Sequence, residues 1–514
     1  NKHYALRESY ASNDGFHDTN WWYAVGLHVV GMVALVYQAV TRGKRMCLAC
    51  VLGVVVLSSV QSIRSVASPQ CNDKQTFFSA PAAAFEVPEI GSPLARQREQ
   101  RFSRYLAMSD GVELAVDVYL PFNYNATSEV GGLPTFLHLT RYHRADLRSW
   151  ITRYLTIFGY PPTPHFHFPT RGLRYLNELV PAGYAYVVVD VRGTGASFGS
   201  RPIDLSNREV ADFLELSQWV KQQPWCNGRI GTGGISYDGI TGALMAAQGN
   251  IQAAVLMFTP GDIYRDIAFV GGIPVSGFLE MYQRFCKASE QGGDVEDPDS
   301  LIPQVFKFVM KYFFDGVMPV TGAEDRLAHA IQQHAHNFDM AAAGRDPKIV
   351  GRDSVLKHYD GQDYTALNLG VNQQTFAGLL KHNVSVYSFG GFYDSGSIRS
   401  AARLHNFLQH NNGDSKLTIG PWNHGARACW TPSSTGTMTM YPMHYDVKRF
   451  LDCKLRDLCD NMPATEPKVH FFVSGAADKW SSSQDVCPPT TEIVSHRLTL
   501  STMQACSLGI VVNS

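Results

Sequence analysis

Arg229-Ile-Gly-Thr-Gly-Gly-Ile-Ser-Tyr-Asp-Gly-Ile240 is the stretch on which the fold turns. Arg229 to Thr232 is a short extended run. Gly233 and Gly234 break it, Ser236 follows, and Tyr237 to Gln248, rich in Ala, Gly, Leu and Met, continues as a helix. The pattern is strand, sharp turn, helix, with Ser236 at the turn. A serine hydroxyl is a poor nucleophile at its free pKa and needs an adjacent base. Such a turn lifts the hydroxyl above the sheet edge and aims the next backbone N–H, that of Tyr237, at the place where an oxyanion forms. It also needs small neighbours, which Gly234 and Gly239 supply. The generic elbow G-x-S-x-G has glycine where this chain has Asp238. Taken alone, the stretch reads equally well as a glycine-rich turn before a packed helix.

The flanking sequence supplies a test. Glu113 to Leu120 alternates polar and apolar residues as a half-buried strand does. Pro134 to Leu139 is a short apolar run leading into Thr140-Arg-Tyr-His-Arg144, and Tyr184 to Asp190 is another. Glu209 to Val220 has helical spacing. Ala253 to Phe258, Val384 to Phe389 and Lys416 to Ile419 are further short strands. Strands alternating with helices imply an α/β fold, a mostly parallel sheet covered on both faces. In such sheets the active site lies beyond the carboxyl ends of the strands. Gly390-Gly-Phe-Tyr-Asp394 follows one strand, and Gly420-Pro-Trp-Asn-His424 follows another. Each reads singly as a turn cap or a satisfied histidine. Together the chain order is Ser236, Asp394, His424, that of the α/β-hydrolases. His424 would then take the proton of Ser236, and Asp394 would fix the imidazole tautomer.

These stretches resemble the cocaine esterase / X-Pro dipeptidyl-peptidase family of serine hydrolases. The resemblance rests on Asp110-Gly-Val-Glu-Leu-Ala-Val-Asp-Val-Tyr-Leu-Pro121, Asp190-Val-Arg-Gly-Thr-Gly195, Gln223-Pro-Trp-Cys-Asn-Gly-Arg229, Gly234-Ile-Ser-Tyr-Asp-Gly239, Gly391-Phe-Tyr-Asp394 and Gly420-Pro-Trp-Asn-His424. They run in the family's order over roughly residues 100–480. The family's elbow is G-x-S-Y-x-G, which accommodates Asp238. The resemblance implies Ser236 as nucleophile, Asp394 as acid and His424 as base. It also implies an oxyanion hole made by the Tyr142 hydroxyl and the Tyr237 N–H. A tyrosine packed at the sheet edge is the competing reading of Tyr142.

Composition limits the alternatives. The chain has 514 residues, with 44 basic and 45 acidic side chains, so neither a nucleic-acid surface nor an acidic tail is indicated. Ten cysteines follow no metal spacing, and no metal or cofactor is expected. Gly193-Thr-Gly-Ala-Ser-Phe-Gly199 and Gly231-Thr-Gly233 invite a dinucleotide reading. The first runs into Ser200-Arg-Pro202, and the second lacks an acidic residue for a ribose after the next strand.

Trp21 to Val40 carries no formal charge and is long enough to cross a bilayer. Thr41-Arg-Gly-Lys-Arg45 is basic, and Met46 to Ile63 is a second uncharged run. One reading is a membrane hairpin with the basic loop in the cytoplasm. Another is a signal peptide over Lys44 to about Ser68. A third is a buried soluble helix. The first two export the rest of the chain, and the sequons Asn125-Ala-Thr127 and Asn383-Val-Ser385 agree with export. The sequence begins at Asn1, as a fragment or incomplete gene model would.

The expected organisation is a membrane or signal-like segment (1–68), a linker (69–100) and a hydrolase core in two parts (101–268 and 371–465). A helical cap (269–370) separates the two parts. Within it Gly277 to Cys286, Leu301 to Phe314 and Asp325 to Ala343 have helical character. The acidic run Glu290 to Asp299 reads as a solvated loop, or as a lure for a substrate amino group. Tyr445 to Leu458 is an amphipathic helix. Val469 to Val473 and His496 to Leu500 then read as strands opening a jelly-roll-like β-domain (466–514), of which the resemblance implies more than this chain holds. The functional expectation is a serine hydrolase that cleaves a small ester or a short peptide amide through an acyl-enzyme. The alternative is a non-catalytic binding or scaffold protein on the same fold.

Overall fold

The computed structural model describes residues 100–125, 131–145, 179–290, 317–426, 443–473 and 479–484, all within the unit Gln70–Ser514. Residues 21–40 and 46–63, expected in a membrane or an export signal, lie outside the described residues. Among the described residues no helix is long and apolar enough to cross a membrane.

In chain order the first half contains β1 (Gln100–Ala107), β2 (Glu113–Leu120), β3 (Leu133–Thr140), β4 (Ala185–Asp190), α1 (Asn207–Lys221), β5 (Cys226–Ile235), α2 (Tyr237–Ala246) and β6 (Ala253–Met257). The cap region holds α3 (Ser276–Glu290), α4 (Leu327–Gln333), α5 (Met340–Arg345) and the hairpin β7 (Val355–Tyr359) and β8 (Gln362–Thr365). Then come α6 (Gln373–Lys381), β9 (Ser385–Tyr393), α7 (Ser397–His410), β10 (Ser415–Asn423), α8 (Met443–Arg456), β11 (Val469–Val473) and β12 (Lys479–Ser483).

The main sheet runs β1-β2-β4-β3-β5-β6-β9-β10-β11-β12. From β4 to β11 every neighbour is parallel, and β1, β2 and β12 flank that block antiparallel. Alternate residues of each strand face opposite layers. Val187, Val189, Ala254 and Leu256 pack with Phe213 of α1, Ile240 of α2 and Leu404 of α7. Tyr186, Val188, Val255 and Met257 pack on the other face with Val447, Phe450 and Leu451 of α8. Burial on both faces explains why β3, β4 and β6 read as continuous apolar runs.

Three expectations change. The β-domain boundary at 466 is corrected. Val469–Val473 pairs in parallel with β10, and Lys479–Ser483 closes on it antiparallel, so both belong to the hydrolase sheet. Residues beyond 484, including 496–500, lie outside the described residues. The cap is not wholly helical, because it carries the β7–β8 hairpin. The helix expected over 325–343 is broken. Phe338 N–H donates to Arg201 carbonyl, and Asp339 starts a new helix by accepting from Ala342 N–H. The helix expected at 301–314 lies outside the described residues.

Helix α8 ends at Arg456, and Asp457 takes a positive φ of 60°. That reversal brings Cys459 back to Cys453, with which it forms a disulfide.

Candidate active site

Ser236 follows directly on the last residue of β5, Asp394 on the last of β9 and His424 on the last of β10. With β6 these are four adjacent parallel strands, so all three residues emerge at one sheet edge. Pairings Ile235–Met257, Met257–Phe389 and Phe389–Thr418 carry one level across the sheet. β9 and β10 continue past that level. Their register shifts between Gly420 and Asn423, around Pro421, which has no N–H for the ladder. Tyr393 then pairs with Asn423, so Asp394 and His424 leave the sheet side by side.

Nδ1 of His424 lies 2.8 Å from Oδ1 of Asp394. Asp394 is buried, while the His424 side chain keeps 39 % exposure, enough for a substrate to reach it. The ring of Phe258 meets His424 edge-on at 6.0 Å. With Nδ1 held by the carboxylate, Nε2 is the ring nitrogen left for proton transfer.

Ser236 has φ 65° and ψ −122°, a conformation costing about 1–3 kcal/mol in a non-glycine residue. The surroundings enforce it. Ser236 N–H donates to Met257 carbonyl at 2.9 Å, and its carbonyl accepts from Gly239 and Ile240 as α2 begins. A Cβ on Gly234 would lie 2.5 Å from Asp238 Cβ, and one on Gly239 would lie 2.0 Å from Thr259 Oγ1. Both glycines are therefore required. Asp238 fits because its carboxylate turns into the core, 2.9 Å from Nε2 of His138, whose Nδ1 is 2.7 Å from the Tyr186 hydroxyl. No sequence signal marks His138, since only the pairing of β3 with β4 and β5 brings it beneath the elbow.

Tyr237 is the first residue of α2, where a helix N–H has no partner within the helix. Its hydroxyl donates to Glu209 at 2.9 Å, and burial pushes the Glu209 carboxyl up to about 7. Tyr142 lies two residues beyond β3, next to β5, with its N–H on Thr140 Oγ1 and its ring edge-on to Tyr237 at 6.3 Å. Its hydroxyl is 2.7 Å from that of Tyr282 on α3.

Arg141 bonds Asp204 at 2.8 Å and Glu290 at 2.7 Å, and Arg201 bonds the same two carboxylates. Glu290 is thus not the first residue of a solvated loop. It closes α3 onto a buried pair of guanidiniums, and residues 291–299 lie outside the described residues. The glycine loop at 193–199 wraps Asp190, whose carboxylate accepts from Ala196 N–H and Arg144 N–H and leaves no room for a Cβ at Gly195. Among the described residues no group of three or more His, Cys, Asp or Glu side chains is placed to hold a metal ion.

A family model described as X-Pro dipeptidyl-peptidase (S15 family) matches residues 110–426. The Mycobacterium bovis protein named "Putative serine esterase Mb1866c" is 30 % identical over 427 residues, covering 80 % of this chain and 65 % of its own. The "Cocaine esterase" of Rhodococcus sp. is 26 % identical over 400 residues, covering 75 % of this chain and 59 % of its own. The chain therefore spans less than two thirds of the length of either relative. A match that takes in the elbow, Asp394 and His424 makes this chain a member of the X-Pro dipeptidyl-peptidase (S15) family.

Proposed function

We propose that the chain is a serine hydrolase that cleaves a small carboxylic ester through an acyl-enzyme. The observation that carries this reading is the 2.8 Å contact between His424 Nδ1 and Asp394, at the sheet edge where β5 delivers Ser236. Ser236 Oγ attacks the carbonyl and passes its proton to Nε2 of His424. Asp394 accepts from Nδ1–H and stabilises the imidazolium. The Tyr237 N–H and the Tyr142 hydroxyl donate to the oxyanion. The proton on Nε2 then goes to the leaving alcohol, and water repeats the sequence to release the acid.

Ester rather than X-Pro amide is favoured on two grounds. Both relatives above carry esterase names. The acidic cap residue Glu290 is taken up by Arg141 and Arg201, so it offers no charge to a substrate amino group. Turnover of aryl esters against Gly-Pro aryl amides by the full chain tests this choice. Hydrolysis of the esters alone, abolished in Ser236→Ala, supports it. Faster hydrolysis of the Gly-Pro amides overturns the ester assignment and leaves the triad standing.

An extracytoplasmic location goes with this reading. The Cys453–Cys459 disulfide supports it, since such bonds persist chiefly in oxidising compartments, and so does the exposure of the sequon residues Asn125 and Asn383. Alkylation of the denatured chain from its native host checks the location. Blocked Cys453 and Cys459 agree with export, and free thiols at both contradict it.

A further inference from the structure

The cap helix α3 is docked on the segment that follows β3 at successive turns. Glu290 bonds Arg141 at 2.7 Å, and the Ser289 hydroxyl and carbonyl meet Nε2 of His143 at 2.9 and 2.8 Å. About two turns earlier, Tyr282 meets Tyr142 hydroxyl to hydroxyl at 2.7 Å. The Arg141 guanidinium lies over both the Tyr282 ring, at 5.6 Å, and the Tyr237 ring, at 5.0 Å. Phe278 stacks on Tyr282 at 5.5 Å, and Phe285 packs beside Tyr142 at 5.7 Å. Apolar packing of this kind needs no hydroxyl at 282, so the Tyr282–Tyr142 contact calls for its own account.

We infer that Tyr282 is a positioning residue for the oxyanion hole: its hydroxyl donates to Tyr142 Oη, which turns the Tyr142 proton toward the substrate and makes a docked α3 a condition of a complete hole. The inference rests on the reading of Tyr142 as an oxyanion donor. A phenol that accepts a hydrogen bond is a stronger donor, because hydrogen bonds in a chain polarise one another. Burial raises the Tyr282 pKa well above its ordinary value, so it keeps its proton. With the bond reversed, Tyr142 would give its proton to Tyr282 and have none for the oxyanion.

The test is a double-mutant cycle on the full chain, with p-nitrophenyl acetate as substrate. Tyr282→Phe is expected to lower kcat about tenfold with KM nearly unchanged, less than the roughly 10²-fold or more that losing the direct donor costs in Tyr142→Phe. The double variant is expected to match Tyr142→Phe alone, since Tyr282 acts only through Tyr142. An unchanged or raised kcat in Tyr282→Phe, or a double variant showing the product of the two losses, overturns the inference. If Tyr282→Phe does not fold, replacement of Tyr282 by 3-fluorotyrosine, a more acidic donor, serves instead. A higher kcat then supports the inference and an equal or lower one overturns it. Failure of the underlying reading shows separately: Tyr142→Phe is then fully active, or the parent has no Ser236-dependent activity.

Discussion

Asp394 and His424 are 30 positions apart in sequence and 2.8 Å apart in space, because β9 and β10 are parallel neighbours that end at one level. The carboxylate fixes which imidazole nitrogen carries the proton. Asp394→Asn keeps the size of the side chain but favours the wrong tautomer. It is expected to lower kcat on the order of 10⁴-fold with little change in melting temperature. Steady-state rates and a thermal melt of the same preparation check both halves.

The elbow glycines give a prediction whose sign differs from the general rule. Gly to Ala within a helix normally stabilises by about 1 kcal/mol. At Gly239 the new methyl would meet Thr259 Oγ1 at 2.0 Å and Gly234 carbonyl at 3.0 Å. Gly239→Ala is therefore expected to destabilise by roughly 1–3 kcal/mol, the usual cost of overpacking. Removing the hydroxyl in Gly239→Ala/Thr259→Ala should return part of that loss in denaturant titrations. A stabilised single variant would contradict the geometry of the turn.

Glu209 makes stability depend on pH. Burial raises its carboxyl from the ordinary 4.5 to about 7, so the folded state holds a proton that the unfolded chain has lost. The stabilisation is complete below about pH 4.5 and fades as pH rises through 7. Replacing it with Glu209→Gln should flatten the fall in stability between about pH 5 and 8 by roughly 1–3 kcal/mol. Asp190 and Asp212, raised likewise by burial, keep a residual slope. Denaturant titrations across that range, parent beside variant, read the difference.

On the opposite face of the sheet, Leu451 of α8 is fully buried and lies against Gly231 of β5. Leu451→Ala leaves a cavity between helix and sheet and is expected to cost about 2–5 kcal/mol. The rate per labelled site should stay near that of the parent, because Leu451 touches none of the reacting groups. A kcat loss in protein that remains fully folded would contradict that separation.

Much of the core was legible in the sequence. Glu113–Leu120 and Val469–Val473 are strands with the expected ends, because their β-branched and aromatic residues favour that state. β5 is longer than the run at 229–232. Gly233 and Gly234 hide its carboxyl end, and they are there because Gly233 lies against the Val255 carbonyl and Gly234 against Asp238. The same reason conceals the ends of β9 and β10, where Gly391 and Gly420 leave no room for a Cβ. His138, Glu209 and Tyr282 were not legible as parts of the site. Their roles come from strand order and cap docking, neither of which leaves a local pattern.

The central claim is that Ser236 is an activated nucleophile. Its most direct test is labelling of the full chain with a fluorophosphonate probe, located by peptide mass spectrometry, beside Ser236→Ala and His424→Ala. The account predicts one adduct, on Ser236, absent from Ser236→Ala and strongly reduced in His424→Ala. A folded parent that takes up no probe, or carries the adduct on another serine, would contradict it.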